Sequence, residues 1–217
     1  KGFIPWDDDI DVCLLRKDYE KFLQVSKNEL IDSYFLQTCF SDPASIVQFA
    51  KIRKKGTVFR NFSDLDNTYE TGIYIDVFPL DNVYPERFLG KLQPWLFAFW
   101  YACTTSSVKK RVERSKNIIV KLARKMIYQL LKVYPKQKCD LHAQRALRMF
   151  ESKKTEYINH LTNGVTKTRL KKYLRKSETF YDIIEWEFEG TMFPIPRNYH
   201  DVLTRNFGDY MELPPED

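Results

Sequence analysis

Four aspartates crowd into five residues near the start of the chain, in Trp6-Asp7-Asp8-Asp9-Ile10-Asp11-Val12. Carboxylates packed this densely repel one another, and a buried one without a partner must take up a proton or destabilise the fold. A divalent cation removes the problem, and hard oxygen ligands are what Mg²⁺ or Mn²⁺ prefers. On an extended strand alternate side chains share a face, so Asp7, Asp9 and Asp11 point one way while Ile10 and Val12 point the other, into a core. An acidic surface turn and a structural calcium loop are the milder readings. A calcium loop of the EF-hand kind needs glycine in its turn and a bidentate Glu at its end. Here Asp11 is followed instead by Val12, Cys13, Leu14 and Leu15, a hydrophobic run that continues a strand. The stretch reads as a metal-binding strand.

Gly72-Ile73-Tyr74-Ile75-Asp76-Val77-Phe78-Pro79-Leu80-Asp81 is a second strand-like run, with Asp76 in its middle. A lone Asp in such a strand faces a cation or a hydrogen-bonding partner, or else caps a strand end beside Pro79. Two carboxylates at i and i+2 with a third on another strand make a cage suited to phosphoryl or nucleotidyl transfer. That chemistry asks the protein mainly for positioning and for neutralising phosphate charge. Two cations held about 4 Å apart can activate the attacking oxygen and stabilise the leaving one. Lys51 and Arg53, as i and i+2 on a strand running from Ser45 to Arg53, are candidates to hold donor phosphates. A solvated basic strand face is the alternative.

The elements that must position these residues fall into three parts. Residues 1–83 mix strands with a helix opening at Lys17-Asp18, whose apolar side carries Tyr19, Phe22, Leu23 and Leu30. Lys55-Gly56 predicts a turn, with Thr57 to Arg60 as a returning strand and Asn61 to Glu70 as a loop. Residues 84–165 read as a basic helical insertion. Its run from Pro94 to Cys103 is very apolar but falls short of the roughly 20 residues that span a bilayer. Between Val108 and Lys138 stand eleven Lys or Arg, with Ile118, Ile119, Leu122, Met126, Ile127, Leu130 and Leu131 at helical spacing. That pattern fits a helix packed on its neighbours with a solvated basic face, the favoured reading, or one lying on anionic lipid. Residues 166–217 return to the core, with a strand through Ile183 to Phe188, Pro194 and Pro196 in a rigid loop, and a helix from Asn198 to Phe207.

At 217 residues and 43% hydrophobic, the chain can bury one sizeable core, and only 7 glycines argue against a repeat or linker-rich protein. The net charge of +6 invites a nucleic-acid reading. It is set aside, because the basic residues concentrate in the helical insertion and its aromatics follow a packing period. Cys13, Cys39, Cys103 and Cys139 lack paired spacing, and Cys139 with His142 is an isolated pair, so zinc is not expected. Cys13 reads as a core thiol.

Lys1-Gly2-Phe3-Ile4-Pro5-Trp6-Asp7-Asp8-Asp9-Ile10-Asp11-Val12 with Arg16-Lys17-Asp18-Tyr19-Glu20-Lys21-Phe22 closely resembles the signature of the LicD family of phosphotransferases. This family includes choline-phosphate transferases, with the fukutin-type ribitol-phosphate transferases as distant relatives. Ile73 to Asp81 looks like its second motif. Phe188-Glu189-Gly190, Phe193-Pro194-Ile195-Pro196 and Tyr199 to Pro215 look like its closing one. The resemblance implies an α+β fold with a nucleotidyltransferase-like mixed sheet core. It implies transfer of a phospho-alcohol, phosphocholine above all, from a CDP-linked donor such as CDP-choline to a hydroxyl of a cell-surface glycan, which a lipid could carry. On that pattern Asp9, Asp11 and Asp76 bind Mg²⁺ or Mn²⁺ and carry catalysis, Asp7 and Asp8 are auxiliary ligands, and Lys51 and Arg53 bind substrate. A glycosyltransferase using a nucleotide-sugar, or an inactive membrane-docking fragment, is the alternative. Family members carry a Gly-rich segment upstream of the aspartates, so the chain is expected to be truncated at its N-terminus. A nucleotide donor and reduced thiols imply the cytoplasm, with peripheral contact at the inner face of the cell membrane.

Overall fold

A computed structural model describes residues 10–59, 71–107 and 117–212. Strand β1 (Asp11–Leu15) runs directly into helix α1 (Arg16–Glu29), and strands β2 (Tyr34–Gln37), β3 (Ala50–Lys54) and β4 (Tyr74–Val83) follow. Helices α2 (Phe88–Ser106), α3 (Ile118–Leu130) and α4 (Lys136–Leu147) come next, then β5 (Tyr157–Asn159), α5 (Lys167–Lys172) and β6 (Arg175–Lys176). A hairpin of β7 (Ile183–Phe188) and β8 (Thr191–Pro196) precedes α6 (Tyr199–Phe207). The sheet order is β2-β3-β4-β5-β6, with β1 joined to β4 at the side. The β1–β4 pairing is parallel and the others antiparallel, so the architecture is the expected α+β with a mixed sheet.

The ten-residue β4 is the spine, and its period of two explains how. Val77 points to one face and joins Tyr19 of α1 and Ala50 of β3 in a core completed by Leu14, Phe22, Leu23, Leu36 and Ile52. At its far end Val83 enters a second core with Phe97 of α2 and Ala143, Ala146 and Leu147 of α4. Gly90 permits the α2 approach, because a Cβ there would lie 1.7 Å from the Tyr84 carbonyl oxygen. Buried Asp140 of α4 accepts from Gln48 and Thr104 and pairs with Lys136 at 2.7 Å, tying the segment before β3 to both helices.

Residues 57–59 form no strand, and β3 finds its partner in β2 instead. Ile10, Val12 and Cys13 are exposed rather than buried, because β1 is an edge strand. Pro194 and Pro196 lie on β8, where an edge tolerates the missing N–H, not in a loop. The stretch read as helical to residue 165 contains β5, which rejoins the sheet at β4. Helix α3 forms as expected, with the Asn117 side chain accepting from the Ile119 and Val120 N–H groups. However, it buries none of its residues, so the packed-helix reading of its apolar stripe does not hold.

Candidate active site

Strand register decides which residues meet. Asp11 of β1 lies opposite Asp76 of β4, Asp76 opposite Lys51 of β3, and Lys51 opposite Gln37 of β2. Directly opposed residues share a face, so one row across four strands reads Asp, Asp, Lys, Gln. This row lies on the face of β4 opposite Val77 and the α1 core. The Asp76 N–H donates to the Ile10 carbonyl at 3.0 Å and locks β1 in register. Asp7, Asp8 and Asp9 lie outside the described residues.

Within the row the Lys51 ammonium donates to Asp76 Oδ1 at 2.5 Å, and both residues are buried. Burial lowers the ammonium below its ordinary range, against the pull of Asp76. Lys51 Nζ also lies 3.5 Å from the Tyr74 ring centroid and 5.2 Å from that of Phe49. It therefore sits on a carboxylate between two aromatic rings, an arrangement that favours organic cations. Arg53, the other expected phosphate ligand, lies on the same face over Tyr74 at 4.7 Å. Its Nε donates to Gln37 and its Nη1 to the Gly72 carbonyl, both at 2.7 Å. Glycine is required at 72, because a Cβ there would lie 2.2 Å from the Lys54 carbonyl oxygen. The structure thus makes Arg53 a brace between β2, β3 and the start of β4.

Hard oxygens from Asp11 and Asp76, facing one another across paired strands, suit a divalent cation, and Lys51 marks the same place as one that holds positive charge. Among the described residues no group of three or more His, Cys, Asp or Glu side chains is placed to hold a metal. A third carboxylate would have to come from the aspartates before Ile10.

Two features escaped the sequence reading. Arg16 and Asp81 lie five residues beyond Asp11 and Asp76, and the parallel register brings them together with Arg16 Nε 2.6 Å from Asp81 Oδ1. Asp81 is fully buried, and burial pushes its carboxyl up to about 6 despite Arg16. Glu20 extends the network to Arg148 beyond α4. His160 follows β5, with its ring 4.3 Å from Phe78 and 5.5 Å from Tyr173. Burial lowers it to about 4, so it is neutral at pH 7.

This site stands on an α+β scaffold whose sequence has clear relatives. Residues 1–103 match the family described as LicD/FKTN/FKRP, nucleotidyltransferase domain. The whole chain is 32% identical, over 225 residues and 78% of the relative's length, to the lipopolysaccharide cholinephosphotransferase LicD of Haemophilus influenzae. The chain belongs to the LicD family. No solved structure matches it.

Proposed function

We propose that this chain transfers phosphocholine from CDP-choline to a hydroxyl of a cell-surface glycan of the lipopolysaccharide, capsule or teichoic acid type. The observation that carries the reading is the row Asp11–Asp76–Lys51, which aligns two carboxylates and an ammonium on one face of the sheet. Likeness to a lipopolysaccharide cholinephosphotransferase over the whole chain supports the donor and acceptor classes. Asp9, Asp11 and Asp76 would hold Mg²⁺ or Mn²⁺. The cation, when bound, would supply charge neutralisation at the donor diphosphate. Lys51 adds positive charge to the phosphoryl oxygens, and Arg53 contributes to the potential while holding Tyr74 and Gly72. Asp76 orients the acceptor hydroxyl and takes its proton as the oxygen attacks the choline-bearing phosphorus. The bond to the CMP oxygen breaks, and CMP leaves with the electron pair.

Support for choline over an uncharged alcohol comes from the rings that flank Lys51. As Lys51 turns to phosphate, the place it leaves beside the Tyr74 and Phe49 rings would take a trimethylammonium group, which cannot donate hydrogen bonds and relies on such faces, while Arg53 keeps its own contact with Tyr74. A nucleotide donor and four free cysteines favour a cytoplasmic site of action. The test is CMP release with Mg²⁺ and a lipopolysaccharide acceptor, comparing CDP-choline with UDP-sugars. Metal-dependent CMP release with phosphocholine on the glycan is expected. Turnover of UDP-sugars alone would replace the reading with glycosyl transfer.

A further inference from the structure

Helix α3 turns the wrong face to its own protein. At about 100° per residue, Ile118, Ile119, Leu122, Met126 and Leu130 form one stripe. In an ordinary surface helix that stripe faces inward. Here it faces out, with Ile119 74%, Leu122 56% and Met126 67% exposed. The partly covered residues are Arg124, Ile127, Tyr128 and Leu131, on the opposite side. Helix α2 adds an outward stripe of its own at helical spacing, with Phe88, Trp95 and Phe99 exposed. Apolar surface this extensive marks an interaction site in a folded protein.

Charge identifies the partner. From Asn117 to Cys139 there are six Lys or Arg and no Asp or Glu. Lys121, Lys125 and Lys132 are exposed, the first two on the flank of the α3 stripe. A second copy of the chain docking on this face would bring like charges together. An anionic lipid surface takes both components, the stripe entering the acyl boundary and the lysines meeting the headgroups. No described helix is long and apolar enough to cross a membrane, so the contact lies along the interface. We propose that α3, assisted by the aromatic stripe of α2, is an in-plane anchor for anionic bilayers. It would hold the enzyme where a lipid-borne acceptor is presented. The anchor does not depend on the transferase reading, because binding needs no turnover.

The test is co-sedimentation of the chain with vesicles of phosphatidylcholine alone or mixed with phosphatidylglycerol. Recovery is expected to rise with phosphatidylglycerol, fall with salt and fall in Lys121→Glu/Lys125→Glu. Leu122→Ser/Met126→Ser keeps the net charge and changes only exposed side chains. It is expected to weaken binding about tenfold, because two side chains no longer leave water. Circular dichroism confirms that each variant is folded. Equal recovery with the two vesicle types, or unchanged binding by Leu122→Ser/Met126→Ser, would overturn the proposal. A dimer in sedimentation velocity that this variant dissociates, with no vesicle binding, would assign the face to a second copy instead.

Discussion

Asp76 carries a different burden from Asp11, although the two face each other. Asp76 is buried and is the partner of a buried ammonium, whereas Asp11 is exposed at the sheet edge. Removing the charge of Asp76 is therefore expected to lower stability through the buried Lys51, whereas neutralising the exposed Asp11 is expected to cost the fold less. If the Tyr74 ring receives choline, as proposed above, its loss should act on one donor and not another. Tyr74→Leu should raise KM for CDP-choline by roughly two- to thirtyfold, the worth of one cation–π contact, and leave KM for CDP-glycerol unchanged. Equal effects on the two donors would remove the ring from choline recognition. His160 gives a pH-dependent signature. Its folded value of about 4 lies below the ordinary 6.5, so the unfolded chain binds more protons between those values. The stability it contributes is fully present above pH 6.5 and is lost as pH falls toward 4. Urea unfolding at pH 7 and pH 5 should find His160→Phe relatively more stable than the parent at the lower pH, by about 2 kcal/mol. Because other groups cancel in that difference, an unchanged difference would mean that His160 titrates normally.

At the scale of elements, the pairing of β1 with β4 does most to build the site, and its register was the part least legible beforehand. The individual strands around Asp11 and Asp76 could be read from their β-branched and aromatic runs, and α1 from the spacing of Tyr19, Phe22 and Leu23. Periodicity could not reveal that Asp11 and Asp76 pair directly, because register depends on long-range hydrogen bonds such as Asp76 N–H to the Ile10 carbonyl. It equally could not reveal that Arg16 meets Asp81. The short strands β2, β5 and β6 carry too few residues for alternation to stand out, so the pattern points to residues after the Lys55-Gly56 turn as the partner of β3, whereas 57–59 form no strand and β2 pairs with it. For α3 the helix was legible and its orientation was not, because an amphipathic pattern does not say which face the protein uses. The Arg16–Asp81 pair, buried at the point where β1 passes into α1, tests the register energetically. Arg16→Met leaves a buried carboxylate without its partner and should cost about 3–5 kcal/mol of stability. Arg16→Met/Asp81→Leu should recover most of that loss. Thermal unfolding of the three proteins checks this, and an undiminished loss in the double variant would mean that the residues act separately.

Among the described residues, one strand joins two cores. β4 brings Asp76 to the site near its start and Val83 to the helical core at its end, so the site rests on the α1 core while the outward helices remain free for a surface. Positive charge gathers from α3 to the start of α4, where six Lys or Arg and no Asp or Glu stand between Asn117 and Cys139, whereas Asp11 and Asp76 share their face of the sheet with Lys51 and Arg53. The proposed function places metal-dependent transfer from a CDP-linked donor on this face. Its most direct test is Mg²⁺-dependent CMP release from CDP-choline by the chain and by Asp11→Asn, with circular dichroism confirming the fold. Turnover is expected that EDTA abolishes and that Asp11→Asn lowers by about 10²- to 10³-fold, the scale of losing one preorganised charge contact in the transition state. Undiminished turnover by folded Asp11→Asn, or full activity in EDTA, would contradict it.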